Sequence, residues 1–121
     1  MMPGNATLQF YQGGSKTVLI TWKSSTGAVR DLTGCTFRCI GKKAYSDTTT
    51  TFSLTSANGG ATLITDAGVQ KIRLAWTDEA VAAIPSGDGV WDLFIDFANG
   101  DAQPLLAGIY RCSRRVVAPN V

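Results

Sequence analysis

Val90-Trp91-Asp92-Leu93-Phe94-Ile95-Asp96-Phe97, followed by Ala98-Asn99-Gly100, is the stretch that decides the fold of this chain. Trp91, Leu93, Ile95 and Phe97 recur at every second position, with Asp92 and Asp96 between them, which is the period of a half-buried β-strand. Asn-Gly is the dipeptide best suited to a tight hairpin because both residues tolerate positive φ. Residues 105–117 are therefore expected to return beside this strand as the last one.

The same grammar extends towards the N-terminus. Residues 6–11 form a first run that ends at Gln12-Gly13-Gly14. Residues 16–23 are β-branched and aromatic, and Val18, Ile20 and Trp22 share the face expected to be core. After a turn at residues 24–27, Cys35-Thr36-Phe37-Arg38-Cys39-Ile40 alternates again, with Cys35, Phe37 and Cys39 on one side. The Thr-rich run 48–55, holding Phe52 and Leu54, reads as a strand near an edge. Ala57-Asn58-Gly59-Gly60 predicts a tight hairpin into residues 61–64. Asp66-Ala67-Gly68 turns into residues 69–76, where Ile72, Leu74 and Trp76 point inward and Lys71 and Arg73 to water. The single helical signal is Thr77-Asp78-Glu79-Ala80-Val81-Ala82-Ala83-Ile84, with an N-cap Thr, acids in the first turn and Pro85 as the stop.

These elements predict an all-β, antiparallel sandwich of seven or eight strands with one short helical crossover before the penultimate strand. A small closed barrel is the alternative. At 121 residues the chain is expected to form one domain, residues 1–121, since a domain of this size buries roughly two thirds of its unfolded surface around one core.

Composition narrows the chemistry. Hydrophobic residues make up 45% and charged residues 17%, a globular balance far from that of disordered chains. The net charge of +2 is too small to steer the chain to nucleic acid or an anionic membrane. The charges divide unevenly: residues 1–60 hold six Lys/Arg against two Asp, and residues 61–121 hold five against six Asp and one Glu. Unlike edges or faces of neighbouring copies could attract one another on that account. Met1-Met2-Pro3-Gly4-Asn5 shows no secretory pattern, and no apolar run reaches the length of a membrane helix, so synthesis in a cytoplasm is expected. Three cysteines, an odd number, fit a reducing compartment better than a disulfide framework.

Catalysis is not expected. The chain has no histidine, the usual general acid and base at neutral pH. Asp92 and Asp96 on one strand face stand about 13 Å apart, wider than paired glycosidase carboxylates. Cys35 and Cys39 have the same separation and lack further ligands for zinc. They read as small buried hydrophobes. Cys112 is placed to reach either of them across the sandwich, and both pairings stay open should the protein leave the cytoplasm. Gly13-Gly14-Ser15-Lys16 lacks the spacing of a phosphate loop and precedes a strand, so it reads as a turn. Trp22, Trp76 and Trp91 fall on the inward alternation of their strands, which favours core packing over a sugar-stacking platform. The only basic cluster is Arg111, Arg114 and Arg115, joined by Lys42 and Lys43. Arg111 and Arg115 share a face, and with Lys42 and Lys43 they are the candidate partner-binding residues. No cofactor and no metal site is expected.

Residues 6–118 resemble the immunoglobulin-like domain that begins the baseplate upper proteins of tailed phages and related tail and fibre proteins. The resemblance is carried by Gly27-Ala28-Val29-Arg30-Asp31-Leu32-Thr33-Gly34, by Trp76-Thr77-Asp78-Glu79, by residues 86–96 and by the closing hairpin, Asn99-Gly100-Asp101 with residues 105–110. Trp91 stands where that family usually has Tyr. The resemblance implies an immunoglobulin-like sandwich, a virion location after synthesis in a host cytoplasm, other virion proteins as partners, and a homo-oligomer. A soluble intracellular adaptor or inhibitor made during infection, and a carbohydrate-binding module, are the alternatives.

Overall fold

The computed structural model describes residues 4–12, 14–23 and 31–113. Its strands are β1 (Gly4–Asn5), β2 (Leu8–Tyr11), β3 (Lys16–Ile20), β4 (Thr36–Lys42), β5 (Phe52–Thr55), β6 (Ala61–Asp66), β7 (Val69–Trp76), β8 (Gly87–Asp96) and β9 (Ala102–Ser113). One helix, α1 (Asp78–Ala82), joins β7 to β8.

The β8–β9 hairpin is the spine of the larger sheet. Phe97 N–H donates to Asp101 O and Gly100 N–H to Phe97 O, while Asn99 Oδ1 accepts from the Asp101 amide, closing the Asn-Gly turn. The sheet runs β9-β8-β4-β5, and β1 and β2 share the outer edge of β9. The smaller sheet runs β3-β7-β6. Because β1 and β2 occupy one edge, the strands fill eight positions, five facing three. No described strand hydrogen-bonds from one sheet to the other, so the architecture is a sandwich and not the closed barrel. The β9-β8-β4-β5 and β3-β7-β6 orders correspond to the two sheets of an immunoglobulin-like sandwich carrying one extra strand beside its CFG sheet.

Two local expectations are corrected. Asn58-Gly59-Gly60 is not a hairpin, since β5 pairs with β4 and β6 pairs with β7. The chain instead changes sheets there. Asn58 Oδ1 accepts from the Thr55 and Gly60 amides, and Ser56 Oγ accepts from Phe37 N–H and donates to Ala61 O, so side chains satisfy backbone groups at the corner where no ladder exists. The all-antiparallel expectation fails at the first strand, because β1 and β2 run parallel to β9. Ala6 N–H still donates to Ala107 O, but the Ala6 carbonyl leaves the ladder and accepts from Trp91 Nε1 at 3.1 Å.

Elsewhere the alternation holds. β8 buries Trp91, Leu93 and Ile95, β4 buries Phe37 and Cys39, and β7 buries Ile72, Leu74 and Trp76. Phe97 and Trp22 are half-buried and lie against each other, with ring centroids 6.2 Å apart. Phe10, Phe52, Trp76 and Tyr110 pack edge to face or tilted at centroid distances of 5.0–5.9 Å, the geometry that aligns ring edges with π-faces. The Tyr110 ring lies against Gly89, where a Cβ would overlap it, and its hydroxyl donates to Thr51 Oγ1. Thr77 caps α1 by accepting from Ala80 N–H. In the β6–β7 hairpin, Ala67 and Gly68 both have positive φ (52° and 81°), the form of a type I′ turn.

Candidate interaction surface

The outer side of the larger sheet holds most of the chemistry that the fold leaves accessible. The register places Lys42, Val90 and Ile109 in one row, Ile40, Asp92 and Ala107 in the next, and Arg38, Phe94 and Pro104 in a third. Arg38 spans the last row. Its guanidinium makes two hydrogen bonds to Asp96, at 2.8 and 3.0 Å, and lies over the Phe94 ring at 5.3 Å. A paired guanidinium can also cover apolar surface in this way.

Asp92 is half-buried in the middle row. Burial pushes its carboxyl above the ordinary range, while Lys42 and then Arg38 pull it back. Neither Asp92 nor Lys42 has a hydrogen bond or ion pair within contact distance among the described residues. Both line a recess of about 140 Å³ with Ile40, Val90, Trp91 and Tyr45, and Tyr45 is 81% exposed.

The candidate basic residues separate in the fold. Arg111 lies opposite Asp88, with 3.8 Å between charged atoms. Lys43 Nζ donates to the carbonyls of Ser86 and Asp88. The structure thus gathers Lys43 and Arg111 around one strand end and neutralises part of their charge there, while Lys42 belongs to the sheet face. Arg114 and Arg115 lie outside the described residues, as do Gly13 of the Gly13-Gly14-Ser15-Lys16 turn and residues 27–30 of the resembling motif. Lys16 of that turn lies over the Phe10 ring, in keeping with a structural part.

The cysteines require a correction. Cys39 and Cys112 lie in the same sheet and not across the sandwich: Cys39 pairs with Leu93, Leu93 with Leu106, and Cys112 is six residues further along β9. Two strand spacings and six residues put their Cα atoms roughly 20 Å apart, against about 7 Å for a bridgeable pair. Cys35, just before β4 at its opposite end, is further still. Neither pairing forms in this fold, and all three thiols are free. Burial raises the Cys39 thiol far above its ordinary value and also raises Cys112 and Cys35. Among the described residues no group of His, Cys, Asp and Glu is arranged to hold a metal ion.

The motif residues serve the backbone. Asp31 Oδ1 accepts from the amide and hydroxyl of Thr33, which holds its carboxyl below the ordinary range. Leu32 is fully buried and its N–H donates to Gln70 Oε1. Gly34 follows at φ 82° and the chain enters β4. Tyr45, Ile40, Phe94 and Ile109 are the surface residues that sequence reasoning missed. For Phe94 the signal was present, because the alternation that sends Leu93 and Ile95 inward sends Phe94 out. No protein-family model matches the chain, and no curated protein sequence matches it.

Proposed function

We propose that the chain is a structural protein of a phage or prophage virion, an immunoglobulin-like module that docks onto tail, baseplate or fibre subunits. The observation that carries this reading is where the resembling residues fall. Asp31-Leu32-Thr33-Gly34 makes the turn into β4, residues 86–96 cover the central strand β8, and Asn99-Gly100-Asp101 closes its hairpin. The resemblance therefore follows the frame of a sandwich and not a pocket, as suits a module that works by contact. β3, β5 and β6 each end a sheet, and an edge strand offers unpaired N–H and C=O groups to a neighbouring chain. The sugar-platform reading loses support because Trp76 and Trp91 are 1% and 4% exposed, leaving no face of either ring to stack on a sugar.

The test is mass spectrometry of purified particles. The expected result is several copies per particle. Abundance in infected-cell lysate together with absence from particles would overturn the structural role and favour the intracellular adaptor or inhibitor.

A further inference from the structure

The outer face of an antiparallel sheet that meets water is ordinarily polar. This one is not. β8 sends out Val90 and Phe94 between its aspartates, β4 sends out Ile40, and β9 sends out Ile109, which is 38% exposed. No described strand or helix packs over them.

We propose that this face takes a second copy of the chain, sheet against sheet, about a two-fold axis running along the strands between β4 and β8. The charges select that axis. The outward cations of this region, Arg38 and Lys42, are on β4, and the outward carboxylates, Asp92 and Asp96, are on β8. A two-fold along the strands lays each β4 over the partner's β8, cation row over carboxylate row. The in-plane two-fold across the strands would lay β4 over β4 and set like charges together, which opposes association. The uneven division of charge along the sequence thereby acquires a location.

Arg38 and Asp96 already satisfy each other at 2.8 Å. Lys42 and Asp92 have no such contact, and Asp92 is half-buried beside Ile40 and Val90. A nearby cation favours the charged form of such a carboxylate; the axis brings the partner's Lys42 over Val90 and the partner's Arg38 over Phe94, on either side of Asp92, and of the two only Lys42 is not already in an ion pair. The recess beside Tyr45 gives an apolar side chain of the partner a place to sit. The overlap is that of a small interface. With the axis between β4 and β8, four strand positions by about seven residues overlap, roughly 19 by 23 Å, about 440 Å² in projection, against the ~800 Å² of accessible surface that each partner buries in a standard interface.

Sedimentation velocity and light scattering on the full chain test the proposal. At about 100 μM, well above the Kd of an ordinary specific interface, the wild type is expected to be a dimer. Ile109→Glu, at an exposed site, should weaken association at least about tenfold while circular dichroism and melting remain those of a folded sandwich. Lys42→Glu and Asp92→Lys should each weaken it similarly, and the Lys42→Glu/Asp92→Lys double variant should recover affinity to within about threefold of wild type, because it restores opposite charges across the axis. A monomeric wild type, an Ile109→Glu dimer of unchanged affinity, or a double variant no better than the singles would each overturn the proposal. The virion reading stands or falls separately: a monomer found in purified particles removes the dimer and leaves that reading in place.

Discussion

Trp91 joins the two strand pairs that define the larger sheet, and truncating it should expose how much of the fold depends on one side chain. Its indole is 4% exposed in the β8 core row, and Nε1 donates to Ala6 O at 3.1 Å. A buried tryptophan removes about 200 Å² from water, or about 5 kcal/mol at 25 cal/mol per Å². Compactness of the unfolded chain lowers that to about 3–4.5 kcal/mol. Losing the bond to Ala6 adds about 1 kcal/mol, so Trp91→Ala should cost about 4–5.5 kcal/mol, a large share of the 5–15 kcal/mol that typically holds a domain together. Trp91→Phe keeps most of the apolar area and isolates the hydrogen bond, at about 1–2 kcal/mol. Urea denaturation of the three proteins at low concentration gives both values. Hydrogen exchange adds a local readout, because the amides of β2 should lose protection in Trp91→Phe before those of β7. A Trp91→Ala midpoint within error of wild type would refute the argument and mean that the indole does not occupy the core.

Three further outcomes follow from local geometry. A thiol reagent should modify Cys35 first and leave Cys39 unreacted until unfolding, since Cys39 is fully buried and its thiol is raised furthest; rapid labelling of all three in the folded state would contradict this. Ala67→Asn should stabilise by about 1 kcal/mol, because Ala67 holds a left-handed φ that costs an alanine roughly that much, and thermal melting would read it as a rise of several degrees. Burial raises the folded pKa of Asp92 above its unfolded value, so the folded chain holds that proton more tightly and stability falls as pH rises from the unfolded pKa through the folded one. Asp92→Asn should therefore be more stable than wild type at neutral pH, with the difference vanishing in acid; denaturation at a series of pH values checks the direction.

Much of the fold could be read from local chemistry because a strand's two faces are set by a period of two and a turn by a few residue types. Val90 to Phe97, the Asn99-Gly100 turn and the Thr77 cap each needed only neighbours within the sequence; the strand and the cap stand as the pattern implies, whereas the hairpin closes through a longer loop, residues 97–101, in which Gly100 and not Asn99 takes positive φ. The Asn58 turn was misread for the same reason. Asn-Gly-Gly specifies a reversal but carries no information on whether the next strand pairs with the last or crosses to the other sheet, a choice made by β7 as the partner of β6. Parallel pairing of β1 and β2 with β9 is likewise a contact between chain ends, invisible to any local window.

The surface shows the same division. Composition determined that the chain would be globular, weakly charged and without histidine chemistry, and alternation determined which side chains would leave the core. Only the tertiary structure decided that Ile40, Val90, Phe94 and Ile109, drawn from three strands up to 69 residues apart in the chain, would meet on one face. It also decided that Arg111 and Lys43 would meet at Asp88 and that Cys112 would lie far from both other thiols. Side-chain direction is a property of each strand alone, whereas adjacency depends on the order in which strands pair, and that order is fixed by packing the whole core at once.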